Sequence, residues 1–199
     1  MHVDWDKLDD AGLIAAIQKG KLAAFTQLVD RHQRSLINFF FHLSWDRQVS
    51  EDCAQEVFLR LYSHLGTYEP QAKFTTFLFR IARNLWIDRM RAETARGGKP
   101  VSLEAPVGFG EERSLQDRVS APSLTPVEIL ARQETHDALK NAIDQLPEEQ
   151  KSVLVLSEMQ GLKYQDISAI LDIPVGTVKS RMHTAMEKLK ELLSERDAE

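Results

Sequence analysis

The sequence predicts an all-α protein made of two small helical domains joined by a flexible linker, the second of them a helix-turn-helix. Three observations predict it. Apolar residues recur at spacings of three, four and seven along most of the chain, with no convincing strand-type alternation. That recurrence fails between Gly97 and Pro126, where glycine, proline and an acidic excess replace it. It then resumes and ends in two short helical patterns separated by a turn. The expected boundaries are 1–96 for the first domain, 97–125 for the linker and 126–199 for the second domain.

In the first domain Asp9 or Asp10 is placed to cap a short helix bearing Leu13, Ile14 and Ile17, and Gly20 to end it. Leu22, Phe25, Val29, Leu36, Phe40 and Leu43 then fall near one face of a longer helix. Ser50 reads as the next N-cap, which would put Glu51 and Asp52 in a first turn where the helix dipole favours negative charge. Val57, Leu61 and Leu65 supply that helix's inward stripe, and the segment from Gly66 to Ala72, containing Pro70, interrupts it. Phe74, Phe77, Leu78, Ile81 and Leu85 mark a fourth helix whose far face carries Arg80, Arg83 and Arg91. Phe79, Trp86 and Met90 are expected to pack in the core, and Asp88 to orient an arginine. Arg96, Gly97, Gly98, Lys99 and Pro100 break the pattern.

The second helical set is expected to start at Thr125 and Pro126, as cap and first helical residue, and to run to Leu146. Pro147 opens another helix, with Glu148 and Glu149 in its first turn, and Gly161 closes it. Tyr164 to Leu171, then Asp172-Ile173-Pro174, then Val175 onward form the helix-turn-helix pattern. Ile167, Ile170 and Leu171 pack its first helix, Ile173 fills the corner, and Val178, Met182 and Ala185 face inward from the second. Thr177, Lys179, Ser180, Arg181 and Thr184 are left outward. Hydroxyls and cations at an exposed helix start suit the major groove, where Arg and Lys reach guanine acceptors or phosphates. The bland alternative is a solvated helical hairpin, which does not require that outward set.

Composition narrows the function classes. The 199 residues are 43% hydrophobic, an ordinary fraction for a folded protein. Cys53 is alone, so no internal disulfide can form, and no Cys/His cluster offers zinc ligands; no metal and no cofactor are expected, and a reducing cytoplasm fits. No apolar run approaches the roughly 18 residues of a membrane span, and the start, MHVDWDKLDD, is acidic; neither insertion nor export is expected. Net charge is −5, yet Lys73 to Lys99 holds seven basic and two acidic residues whereas Val101 to Glu134 holds six acidic and three basic. Such segregation puts a basic surface on nucleic acid and leaves the rest for another partner. Asp52 and Glu56, at i and i+4, could share a metal ion. No catalytic residue is expected, because the histidines, read as surface or half-buried, are scattered and no Gly-rich phosphate loop is present.

The segment Ser50-Glu51-Asp52-Cys53-Ala54-Gln55-Glu56-Val57-Phe58-Leu59-Arg60-Leu61-Tyr62 resembles the polymerase-binding helix of extracytoplasmic-function (ECF) sigma factors. Phe77-Leu78-Phe79-Arg80-Ile81-Ala82-Arg83-Asn84-Leu85-Trp86-Ile87-Asp88 resembles their promoter-melting helix, and the likeness spans 22–96 and 134–193. The resemblance implies a sigma factor that directs promoter recognition and transcription initiation for a stress or envelope-signal regulon. Its implied partners are core RNA polymerase, promoter DNA and an anti-sigma factor. Asp52, Gln55, Glu56 and Leu59 would meet the polymerase coiled coil. Tyr68, Lys73, Arg80, Arg83 and Asn84 would capture and melt the minus-ten element, and Thr177, Lys179, Ser180, Arg181 and Thr184 would read the minus-thirty-five element. The linker would run near the RNA exit path.

Two positions depart from the family pattern. Thr184 stands where many relatives have a basic residue, and Glu69 and Pro70 make the melting loop stiffer and less basic. Arg91 and Arg96 are equally readable as phosphate contacts or as solvated charges. Three other readings remain: a conventional operator-binding regulator with an N-terminal sensor, an enzyme in which Asp52 and Glu56 join other acids around a metal ion, and an adaptor whose helix-turn-helix no longer binds DNA.

Overall fold

The computed structural model describes residues 4–66, 68, 73–96, 135 and 137–196. Among these every regular element is helical: a 3₁₀ turn at Trp5–Lys7, then α1 (Asp10–Gln18), α2 (Leu22–Ser44), α3 (Arg47–Leu65), α4 (Phe74–Ala95), α5 (137–144), α6 (Glu148–Leu154), α7 (Tyr164–Leu171) and α8 (Val175–Arg196). The expected linker, 97–125, and the expected helix start at Thr125 and Pro126 lie outside the described residues, as do Glu69 and Pro70.

α2 is the spine of the N-terminal part. Ala24, Leu28, Leu36, Phe39, Phe40 and Leu43 are buried along one side of it, and α1, α3 and α4 pack around that side. His32 occupies a position in the same stripe and is buried, 8% exposed, contrary to the surface or half-buried place expected of the histidines. It is tolerated there because its Nε2 meets Asp10 Oδ2 at 3.1 Å, while Asp10 also pairs with Arg31. The inner side of α3 presents Val57, Leu61 and Leu65 as expected, together with Cys53, whose thiol pKa is pushed up by burial.

The start of α3 differs from expectation. Asp46 is its N-cap, with a carboxylate oxygen accepting from the Val49 amide at 3.0 Å, and the helix begins at Arg47. Ser50 lies inside the helix, fully buried, and donates its hydroxyl to the Asp46 carbonyl. Both residue types cap helices, and Asp46 prevails because it leads the turn that buries Ser50 and half-buries Val49. Glu51 and Asp52 therefore sit in the second turn.

The C-terminal part packs α6 and α7 against α8 around Val153, Leu154, Ile167, Ile170, Val178, Met182 and Ala185. Pro147 stands one residue outside α6, as its N-cap, and Gly161 closes the helix in a left-handed conformation, φ +64°. Between them the helix widens into a π-turn at Val155–Met159, and its Gln160 reaches Ser35 of α2. α7 lies against α4, so buried apolar residues of both parts form one continuous cluster. No described helix is long and apolar enough to cross a membrane.

Asp46→Ala should lower unfolding stability by about 1 kcal/mol through loss of the cap. Urea denaturation followed by circular dichroism checks this, and an unchanged midpoint would remove Asp46 as the cap.

Candidate nucleic-acid interface and docking face

The outer side of α3 carries the first set of expected site residues. Asp52 and Gln55 are exposed, and Glu56 is partly so. Each carboxylate has a polar neighbour on its own helix: Gln48 donates to Asp52 at 2.9 Å and Arg60 to Glu56 at 2.8 Å. These are exposed i, i+4 pairs, worth only a few tenths of a kcal/mol, so a partner's cations can replace them. The described residues contain no group of three His, Cys, Asp or Glu side chains able to share a metal, so Asp52 and Glu56 gain no third ligand.

Leu59 is 68% exposed and Tyr62 54%, although both sit on a well-packed helix. Tyr62 meets the Phe25 ring edge-on at 4.9 Å, and Leu22, also exposed, lies at the start of the same α2. Large apolar side chains standing in water beside an acidic stripe are the composition of a docking face. From sequence Leu22 was expected on the apolar face of α2, but at the first position of the helix it is exposed, and Tyr62 was named only as the last residue of the docking-helix motif, with no role of its own. Tyr62 stands three residues after Leu59, a spacing that could have signalled it.

α4 divides its circumference between two tasks. Phe74, Leu78, Phe79, Ala82, Leu85 and Trp86 are buried, whereas Lys73, Arg80 and Asn84 are exposed and Arg83 partly so. Phe79 and Trp86 are thus core residues, as expected; Met90 is half-buried against that core. The Tyr68 and Phe77 rings lie 4.7 Å apart, centroid to centroid, and the Arg80 guanidinium lies over the Phe77 ring, 5.7 Å from its centroid. Phe77 therefore joins Tyr68 and Arg80 in one aromatic and cationic group. Its place in the apolar period hid this role. Burial pushes the Tyr68 phenol pKa up, and nearby Arg80 partly offsets it. Asp88 approaches Arg60 at 3.8 Å on the surface, in keeping with an orienting role.

The backbone before α4 is held from a distance. Gln18 donates its side-chain amide to the carbonyls of Leu65, at 3.0 Å, and Tyr68, at 2.9 Å. An open cleft of about 500 Å³ lies between α1 and the start of α4, with Ile14, Gln18, Tyr68, Lys73 and Phe74 on its walls. Lys73 is not free at its mouth, since its ammonium pairs at 2.8 Å with Asp166 of α7.

In the helix-turn-helix, Asp172 takes the left-handed conformation, φ +54°, to end α7. The Ser168 hydroxyl donates to the Ile173 carbonyl, and the Thr177 amide to that of Pro174 at 2.9 Å, so the turn is tied from both sides. Val178, Met182, Ala185 and Leu189 are buried. Lys179, Ser180 and Thr184 are exposed, Thr177 and Arg181 partly so. The five do not form one face. Thr177, Ser180, Arg181 and Thr184 follow the i, i+3, i+4, i+7 spacing, while Lys179, two residues past Thr177, falls on the opposite flank. Ser180 and Thr184 donate to carbonyls within α8 and keep their oxygens as acceptors, and Arg181 pairs with the exposed Glu149.

With this geometry in place, comparison with known proteins assigns the chain. The family model for sigma-70 region 2 matches residues 28–96 and that for sigma-70 region 4 matches 136–189. The chain is 33% identical over 188 residues to the RNA polymerase sigma-H factor of Pseudomonas aeruginosa, covering 92% of this chain and 93% of that one. It is 33% identical over 181 residues to the ECF RNA polymerase sigma factor SigW of Bacillus subtilis, covering 90% and 94%. The fold is similar to that of CnrH in its complex with the cytosolic domain of CnrY: TM-score 0.65, 23% identity, 92% of this chain and 95% of that one. It is similar also to the sigma factor RpoE in complex with the anti-sigma factor NepR from Bartonella quintana: TM-score 0.64, 23% identity, 85% and 96%. The chain belongs to the sigma-70 family. Within that family it is a member of the ECF RNA polymerase sigma factors.

Gln18→Ala should speed hydrogen exchange at the Tyr68 amide, because the backbone there loses its two side-chain anchors. NMR-detected exchange would show this against Leu61 as a core control, and equal rates in both proteins would remove Gln18 as the anchor.

Proposed function

We propose that this chain is the promoter-recognition subunit of RNA polymerase, docking through α3, melting the minus-ten element at α4 and reading the minus-thirty-five element with α8. The observation that carries the reading is Leu59. A self-sufficient operator-binding regulator has no use for a two-thirds exposed leucine inside an Asp52, Gln55 and Glu56 stripe, whereas a polymerase subunit does. Tyr62 extends the same apolar surface.

The chemistry at α4 fits strand capture. A base drawn from the stack can lie against an aromatic ring, a contact worth about 1–3 kcal/mol per base, and Phe77 and Tyr68 offer two. The Asn84 amide can donate to and accept from a base edge, while Lys73, Arg80 and Arg83 hold neighbouring phosphates. On this reading the chain performs no covalent step, and melting is driven by the difference in affinity for single-stranded and paired DNA. Thr177, Ser180, Arg181 and Thr184 face one groove edge, with Lys179 set for the phosphates across the flank. With Thr184 uncharged, the element read by α8 should differ from that of relatives with a cation there. Two of the similar structures are complexes, one of them with a protein named as an anti-sigma factor, and such a partner in the cytoplasm is part of the proposal.

Sequencing the start sites made by core polymerase on a random-promoter library, with and without the chain, tests the reading. Starts that depend on the chain and share two upstream elements are expected, and their absence would overturn it. Leu59→Asp should weaken core binding at least about tenfold, since it sets an unpaired charge in an apolar contact. Arg80→Ala with Arg83→Ala should leave core binding intact and lower open-complex formation by a comparable factor, as followed by permanganate reactivity.

A further inference from the structure

The region 2 match begins at residue 28, so α1 lies before it, yet one side chain ties α1 to the melting surface. Gln18, the last residue of α1, is exposed, and its amide nitrogen donates to two main-chain carbonyls far along the chain, Leu65 at 3.0 Å and Tyr68 at 2.9 Å. Leu65 ends α3, where helix carbonyls lack partners of their own, and its carbonyl accepts also from the Tyr68 amide at 3.3 Å. Tyr68 stands outside every helix. Both of its main-chain groups are thus bonded in one place, and Gln18 supplies the shorter bond.

The helix that carries Gln18 is itself held at both ends. Gly20, φ +78°, turns the chain so that its amide meets the Ile17 carbonyl at 2.8 Å and the Lys21 amide that of Ala16 at 3.1 Å, closing α1 just past Gln18. At the other end Asp10 pairs with Arg31 and meets His32, both of α2. The His32 ring lies 5.2 Å from that of Phe74, and Phe74 meets Tyr68 edge-on at 6.5 Å. The Tyr68 ring is therefore bounded by Phe74 and Phe77, while its backbone is held from α1.

Stability does not call for this arrangement. Leu13 and Ile14 already bury the inner side of α1, and an exposed amide adds little to what they contribute. Recognition does call for it. A ring that receives an extruded base binds it more tightly when it is already in place, because less freedom is lost at that moment.

We propose that Gln18 is a positioning residue for promoter melting, which fixes Tyr68 as the platform on which an unpaired base of the minus-ten strand stacks. This deepens the sigma-factor reading and rests on it. Gln18 touches no nucleotide in this scheme. It acts through Tyr68, and the Phe77 and Arg80 pair completes the surface beside that ring.

Gln18→Met keeps the length and helix preference of the side chain, adds no charge beside DNA and removes both donors. Holoenzyme reconstituted with Gln18→Met, with Tyr68→Ala or with both is compared with wild type on a promoter recovered from the random library. Binding to a single-stranded minus-ten oligonucleotide and open-complex formation are measured. Tyr68→Ala should weaken oligonucleotide binding about tenfold, the loss of one stacked base, and Gln18→Met about threefold to fivefold. With Tyr68→Ala present, Gln18→Met should add nothing, because the two act as one unit. Core binding and affinity for a duplex minus-thirty-five fragment should be the same in every variant, which a general loss of structure would not leave unchanged. Additive losses, or full oligonucleotide binding by Gln18→Met, would overturn the positioning role and leave the sigma-factor reading standing. If wild-type holoenzyme yields no such promoter, the sigma-factor reading falls and the positioning role falls with it.

Discussion

A lysine ammonium removed from water has to keep its hydrogen bonds, and Lys151 keeps them at the end of α2. The last carbonyls of a helix have no partner within it, and they lie at the negative end of its dipole. Leu43 supplies one such carbonyl, Asp144 supplies the countercharge, and Trp45 bends into the left-handed region to reach the same carboxylate. Everything on the C-terminal side is thereby given its position relative to the N-terminal helices. α6 is set against α2, Glu148 falls under Trp86, and α7 comes to rest along α4.

That placement constrains α4 on more than one side. One side is committed to the core through Leu78, Phe79, Ala82 and Leu85, a second meets the C-terminal part at Trp86, and only the remaining strip carries Arg80, Arg83 and Asn84. Three such side chains and a lysine already paired to Asp166 form a small electrostatic footprint on a chain of net charge −5. In the proposed reading, strand capture at that strip depends on something that brings DNA to it and holds it there. In the same proposal the exposed Leu59 and Tyr62 on α3 give a large, partly apolar partner its hold, so the docking face and the weak DNA surface explain each other.

Much of this was legible from residues alone. The helical periods of α2, α3 and α4 place the core because apolar burial imposes the spacing, and the helix-turn-helix is readable because Ile167, Ile170, Val178 and Met182 leave a polar set outside. Ser50 was misread as a cap because a buried serine interrupts the apolar stripe in the way a true boundary does. His32 was read as surface or half-buried because its side chain is polar, and its burial depends on Asp10, twenty-two residues earlier. Gln18, Lys151 and the pair of Lys73 with Asp166 follow no local period at all. Their roles arise from contacts 47 to 108 residues apart, which only the packed chain brings together. The π-turn at Val155–Met159 likewise leaves the apolar pattern nearly unchanged while shifting what lies beyond it.

The central claim is that this chain recognises promoters only as a part of polymerase. Hydroxyl-radical footprinting on a promoter fragment, with the chain alone, core alone and both together, tests it most directly. Two protected upstream patches that appear only with both, accompanied by strand opening at the downstream one, are the predicted result. Strong protection of a duplex site by the chain alone, unchanged by core, would contradict the account.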